Sequence, residues 1–322
     1  MKTSIVFFGT PEFALETLIR LKEERQIDIR GVVSSPDKKS GRGLRIKESE
    51  VTAFAKMNDL PLLQPENLKD PDFIRALDAW KADIFVVIAF RKLPETVWSL
   101  PKFGCFNIHA SLLPDYRGAA PINWAIANGE NITGVTSFLI NDIIDSGEVL
   151  LQKSIEIDTN ETLSSLYGRL KHLGSQLALE TIYSILDEKV KPKVQKLSKI
   201  VKNAPKIYSE FGHLELLTNI KNIHDRIRAC DISPGASIPM LNGQNGRIKL
   251  YNSNILNYSK TIIYDTPIQV NILDSGVYLK QDSVTIEIRA IQWPGKLRMD
   301  TSNFLKGYRE RGIFTIFGKK IL

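Results

Sequence analysis

The stretch SIVFFGTPEFALETLIRLKEE, Ser4 to Glu24, sets the fold class. It opens with an apolar run rich in Val, Ile and Phe, long enough for one buried strand. Gly9, Thr10, Pro11 and Glu12 cut that run off well before signal-peptide or membrane-span length. From Pro11 to Glu24 the apolar residues recur at helical spacing. A buried strand followed directly by an amphipathic helix is how an α/β domain begins.

The alternation continues outward from this stretch. IRGVVSS (29–35), DIFVVIA (83–89) and CFNIHAS (105–111) read as further core strands, and DPDFIRALDAWK (70–81) as a helix opened by Asp70 and Pro71. GVTSFLI (134–140) and EVLLQKSIEI (148–157) read as later strands, and residues 162–188 as a long amphipathic helix that closes the first domain. The expectation over residues 1–188 is a Rossmann-like, doubly wound, mostly parallel sheet. KVKPKVQKLSKIVKNAPK (189–206) carries Lys at roughly every third position and two prolines, and reads as a basic linker. In residues 207–322, LLTNIKNIHDRIRAC reads as a helix, and GRIKLYNSNI, KTIIYD, IQVNIL, GVYLKQ and SVTIEIRAIQW as short strands of a small, OB-like β-barrel.

Composition and charge agree with two units. The chain has 322 residues, 43% hydrophobic and 25% charged, the profile of a globular protein large enough for two cores. Its net charge of +7 is unevenly spread: residues 1–188 hold 21 Lys and Arg against 26 Asp and Glu, whereas 189–322 hold 22 against 10. So basic a second half fits a polyanionic partner such as nucleic acid, or simply a solvated basic surface. Cys105 and Cys230 are the only cysteines and stand far apart, and the four histidines lack zinc-motif spacing. A metal centre and a disulfide framework are therefore not expected, and a reducing cytoplasm is the expected compartment. No G-x-G-x-x-G or P-loop follows the first strand, which disfavours a nicotinamide or ATP enzyme.

The chemistry concentrates in CFNIHAS. As a strand it places Asn107 and His109 two apart on one face. An amide able to hydrogen-bond a developing oxyanion then stands beside an imidazole able to move a proton, a combination suited to acyl transfer. A hydrogen-bonded structural pair is the alternative reading. Downstream, Asp145 in an Asp-Ser-Gly turn could orient the imidazole or be turn chemistry alone, with Asp142 as a second candidate. Cys105, within an apolar strand, reads as core rather than as a nucleophile.

Taken together, IVFFGTPEFA (5–14), SSPDKKSGRG (34–43), FNIHASLLPDYRGAAPINWAI (106–126), the turn DSGE, IRACDISPGA (227–236) and MDTSNFLKGY (299–308) resemble the methionyl-tRNA formyltransferases, over nearly the whole chain. The resemblance implies the formyltransferase fold and a monomer. It also implies transfer of a formyl group from 10-formyltetrahydrofolate to the α-amine of methionine on initiator tRNA, without metal, nicotinamide or ATP. It assigns Asn107, His109 and Asp145 to catalysis, Asn107 stabilising the oxyanion of the tetrahedral intermediate and His109, held by Asp145, managing the amine and leaving-group protons. Ser111, Leu112, Leu113 and Pro114 match the family's folate-contacting loop, and Phe90, Arg91 and Leu93 a second wall of that pocket. Lys38, Lys39, Arg42, Arg45 and Lys47 match an insertion that enters the tRNA acceptor stem, Arg42 foremost.

Beyond these, the linker lysines, Lys206, Arg226, Arg228, Lys249, Lys296, Arg298 and Lys306 could track the tRNA backbone, with a plain surface charge as the alternative for each. Two positions depart from the family pattern: Arg91 and Ile143 stand where glycine is usual, and Arg91 could approach the acidic tail of a folate. Two other functions remain in view. An enzyme of the same fold acting on a sugar nucleotide or glycinamide ribotide would lack the basic second domain, and an RNA-binding protein that had lost catalysis would lack the Asn/His/Asp set.

Overall fold

The structure, a computed structural model, describes residues 2–40, 45–197, 201–240, 245–257, 266–309 and 311–317, with the backbone alone at 38–40, 45–47 and 315–317. Contacts divide the chain into two compact units: Met1–Gly118, Thr133–Ile155 and Tyr167–Asn203 form the first, and Ala119–Ile132, Glu156–Leu166 and Ala204–Leu322 the second.

In the first unit a seven-stranded sheet runs in the order Val149–Glu156, Ile132–Leu139, Cys105–His109, Ile84–Ile88, Thr3–Gly9, Ile27–Val33, Leu62–Leu63. The five strands from Cys105–His109 to Leu62–Leu63 are parallel, and Ile132–Leu139 pairs antiparallel with Cys105–His109. Both faces of the central strands are covered, so Ile5, Val6, Phe7 and Phe8 are all fully buried, as an unbroken apolar run in a parallel sheet requires. On one face Val6, Phe8, Phe85 and Val87 pack with Phe73 and Leu77 of the helix Pro71–Ala79. That helix starts as its sequence predicts: the Asp70 carboxylate accepts from Asp72 N at 2.9 Å and Pro71 occupies the first turn. Gly31 is required by close packing, since a Cβ there would lie 2.3 Å from the Trp80 ring.

The basic stretch after the helix Leu163–Leu186 belongs mostly to this first unit. Lys193 and Val149 exchange both backbone hydrogen bonds, and Tyr116 N donates to Lys202 O.

The second unit is a curled antiparallel half-barrel sheet in the order Ala236–Pro239, Arg247–Asn257, Val284–Gln292, Gly276–Gln281, Ile268–Leu273, Gly312–Phe317. Alternate residues point inward: Val270 and Ile272, Val277 and Leu279, Ile286 and Ile288 pack with Ile220, Ile223 and Ile227 of the helix Ile220–Ala229. The strand expected at KTIIYD lies outside the described residues.

One charge expectation is corrected here. Arg228, expected on the tRNA backbone, is 3% exposed and paired with Asp225 at 2.6 Å, and it donates to Glu161 O at 2.8 Å. Its position on the buried side of the helix makes it a structural cation. Beside it, His224 is 1% exposed and hydrogen-bonded to Thr159 O and Ser253 Oγ at 2.9 Å each.

Burial pushes His224 down from an ordinary value near 6.5 to about 4; the Thr159 carbonyl and Asp225 oppose the shift, and Arg228 and Lys221 reinforce it. The unfolded imidazole takes up its proton at higher pH than the folded one, so the stability held above pH 6.5 falls as pH drops toward 4. The expected slope is about 1.4 kcal/mol per pH unit in that window. Thermal melts at pH 7.5 and pH 5 test this: the wild type should lose more melting temperature than His224→Asn.

Candidate active site

Asn107 and His109 lie on the strand Cys105–His109, where Val87 pairs with Asn107 on one side and Thr136 with His109 on the other. His109 is 7% exposed. Its Nε2 lies 2.7 Å from Tyr116 O and donates to it, which leaves Nδ1 as the lone-pair nitrogen of the neutral ring. Nδ1 faces Asp145 Oδ2 at 3.8 Å, with Asp145 itself nearly buried. That distance is too long for a direct hydrogen bond. With the ring neutral both atoms are acceptors, and a single N–H donor group can reach the two at once.

Asp145 is held from several sides. Gly118 N donates to its Oδ2 at 2.9 Å, and Gln195 Nε2 donates to its backbone carbonyl at 3.0 Å and to Gly147 O at 2.8 Å. Its φ of 53° lies in the left-handed region, where a non-glycine residue needs outside support. The turn sits tightly on the neighbouring strand, since a Cβ on Gly147 would lie 1.6 Å from Leu139 O. Asp142, the other candidate, is exposed.

Asn107 is half-buried, and its Oδ1 is buried with no hydrogen-bond partner among the described residues. An orphaned buried acceptor costs about 1–3 kcal/mol. A ligand that brings a donor would remove that cost.

The loop after His109 is fixed by its own hydrogen bonds. Thr136 Oγ1 donates to Ser111 O at 2.6 Å and accepts from Leu113 N at 3.1 Å, Gln152 Nε2 donates to Leu113 O at 2.9 Å, and Ser111 Oγ donates to Asp115 O at 2.7 Å. Ser111 and Leu113 are buried, while Leu112 and Pro114 keep partly exposed apolar surface. Phe90 is half-buried against Phe8, 5.7 Å between ring centroids, and Leu93 lies inside the core with Val6 and Phe85. Arg91 bonds the carbonyls of Pro65 at 2.6 Å and Glu66 at 2.9 Å and lies over the Phe90 ring. It braces the loop at 65–66 with the charge expected to meet an acidic tail.

The structure thus brings Asn107, His109 and Asp145 into one region of the first unit. Arg42 lies outside the described residues. Lys38–Ser40 and Arg45–Lys47 pair as an antiparallel hairpin, which places Lys38, Lys39, Arg45 and Lys47 on its two arms. Sequence reasoning missed Tyr116, Gly118 and Gln195. The first two act through backbone atoms, and Gln195 is a single amide in a run of lysines; only the Arg-Gly pair after Tyr116 hints at a tight turn. Cys105 is buried core, and burial pushes its thiol far up. Among the described residues no cluster of His, Cys, Asp and Glu could hold a metal ion, and no helix is long and apolar enough to cross a membrane.

Comparison with known proteins defines the class first. The family described as formyl transferase matches residues 1–182, and the family described as formyl transferase, C-terminal domain, matches residues 206–309. The methionyl-tRNA formyltransferase of Bacteroides thetaiotaomicron is 39% identical over 312 residues, covering 95% of each chain. The chain belongs to the methionyl-tRNA formyltransferase family, and it is a formyl-transfer enzyme. Among solved structures, WlaRD, a sugar 3N-formyl transferase in the presence of dTDP and 5-N-formyl-THF, shares the fold with a TM-score of 0.64 at 21% identity, over 92% of this chain and 100% of that one. HypX from Aquifex aeolicus in complex with tetrahydrofolic acid gives 0.61 at 20% identity over 97% of this chain, which spans only 50% of HypX.

The orphaned acceptor makes a test of Asn107. Asn107→Leu removes a buried polar group that lacks a partner, so the ligand-free melting temperature should stay level or rise, while formyl transfer is lost. Differential scanning calorimetry beside an activity assay reads both.

Proposed function

We propose that the chain transfers a formyl group from 10-formyltetrahydrofolate to the α-amine of methionine on initiator tRNA, with Asn107, His109 and Asp145 as the catalytic set. The observation that carries this reading is the pair of facing acceptors, His109 Nδ1 and Asp145 Oδ2, 3.8 Å apart. An attacking amine must be oriented by acceptors and must give up a proton as it adds. One amine nitrogen can donate to both atoms, and His109 Nδ1 can take the proton. The resulting imidazolium keeps its Nε2–H on Tyr116 O and lies beside the Asp145 carboxylate, and His109 Nδ1 gives its proton to the leaving nitrogen of the donor as the bond from that nitrogen to the formyl carbon breaks. The Asn107 amide offers an N–H to the formyl oxygen as that atom gains negative charge.

The formyl donor supplies an activated carbonyl carbon on a nitrogen leaving group. Phe90, Leu112 and Pro114, each with partly exposed apolar surface, would offer it to a flat ring, with Ser111, Leu113 and Leu93 on the same two loops. Arg91 braces the same wall. The presence of 5-N-formyl-THF with WlaRD and of tetrahydrofolic acid in complex with HypX, proteins of the same fold, supports a folate donor.

Residues 1–188 would carry the chemistry together with Gln195 of the basic linker 189–206, and 207–322 the binding of tRNA. The hairpin with Lys38, Lys39, Arg45 and Lys47, together with Arg42, would meet the acceptor stem. The enzyme would act as a cytoplasmic monomer without metal, nicotinamide or ATP. The relative matched over 95% of its length, a methionyl-tRNA formyltransferase at 39% identity, favours methionyl-tRNA over a nucleotide sugar as acceptor.

Formyl transfer to charged initiator tRNA tests this. His109→Ala should lower kcat by about 10²–10⁴-fold, the range for a lost acid–base group. Arg42→Ala should mainly raise KM for tRNA. Added salt should weaken tRNA use far more than folate binding. A wild type that formylates a nucleotide sugar and leaves methionyl-tRNA unmodified would overturn the reading.

A further inference from the structure

Gln195 stands apart from its neighbours. From Lys189 to Leu197 the basic stretch is exposed except at Val190 and Gln195. The Gln195 amide is fully used: its Nε2 donates to Asp145 O and Gly147 O, and its Oε1 accepts from Arg117 Nε at 3.1 Å and Nη2 at 2.6 Å. That is every hydrogen bond a primary amide can make. Its orientation is fixed as well, because Arg117 can only donate and the two carbonyls can only accept.

The two carbonyls it holds flank Ser146 in the turn that presents Asp145. A left-handed aspartate costs about 1–2 kcal/mol and persists only where its surroundings hold it. Gly118 N fixes the Asp145 carboxylate, and Gln195 fixes the Asp145 carbonyl. If the second contact is released, the peptide can rotate and the carboxylate leaves its place opposite His109.

We propose that Gln195 is a positioning residue for formyl transfer: anchored by Arg117, it fixes the backbone of Asp145 so that the carboxylate faces His109. The kinetic part rests on the catalytic assignment made above; the structural part does not.

Gln195→Met keeps the length of the side chain and removes all four hydrogen bonds. Its kcat should fall about 10–100-fold, as for a reacting group misplaced by about 1 Å, with KM for tRNA and for 10-formyltetrahydrofolate little changed. On an Asp145→Asn background the same substitution should cost almost nothing, because the carboxylate it aims is already gone. A crystal structure of Gln195→Met should show Asp145 out of the left-handed region and farther from His109. If Gln195→Met does not fold, Arg117→Met loosens the same clamp from its other end and carries the same cycle. Losses that multiply with those of Asp145→Asn, or an unmoved Asp145, would overturn the proposal. A wild type inactive on methionyl-tRNA would instead overturn the functional reading, and the crystallographic result would still decide whether Gln195 sets Asp145.

Discussion

The arrangement of the site depends on three consecutive residues, Tyr116 to Gly118. The carbonyl of Tyr116 accepts from His109 Nε2, and the amide of Gly118 donates to Asp145 Oδ2. One short segment therefore fixes both the tautomer of the imidazole and the aim of the carboxylate. Tyr116 does this from a left-handed backbone, φ 62°, with Gly118 at 125°. Between them, Arg117 reaches Gln195 and through it the far side of the Asp145 turn. The chemistry is thus placed mainly by backbone groups, whose positions are set by the chain path rather than by side-chain rotamers.

That path is possible because the sheet around it is rigid. Cys105–His109 is gripped by a parallel strand on one side and an antiparallel strand on the other, and Thr136, opposite His109, is the hydroxyl that ties down the loop from Ser111 to Leu113. A one-residue slip of this strand would send Asn107 and His109 to the opposite face and put Phe106 and Ile108 in their places. Register is therefore strongly specified, and with it the shared face of Asn107 and His109.

Much of this was legible in the sequence, for identifiable reasons. Unbroken apolar runs such as IVFF and IFVVI announce buried parallel strands, and Asp70-Pro71 announces a helix start, because these signals are local. The period of two along CFNIH placed Asn107 with His109 in the same way. What was not legible is non-local or carried by the main chain. The two-residue edge strand Leu62–Leu63 is too short to carry a pattern. The role of Tyr116 belongs to a carbonyl that any residue would supply. Gln195 reads as one more polar residue in a lysine run until the chain brings it to Asp145, and Arg228 reads as a surface cation until Asp225 and Glu161 are seen around it. Arg91 departs from the family pattern in sequence, and only the structure shows its guanidinium tied to the carbonyls of residues 65 and 66.

Several residues at this site break local rules. Tyr116 and Asp145 hold left-handed backbones, Asn107 buries an acceptor without a partner, and Ile143 and Ile144 stand 68% and 61% exposed on the turn that carries Asp145. Each is unfavourable for a folded chain on its own, and each is surrounded by order: a saturated amide, a glycine that admits no Cβ, and a threonine with its hydroxyl fully engaged. A site whose polar groups are left unsatisfied, but cannot move to satisfy one another, keeps its hydrogen-bonding capacity for a ligand. The facing acceptors of His109 and Asp145 are the clearest case, since 3.8 Å is a separation that two lone pairs tolerate and that an amine between them would make favourable.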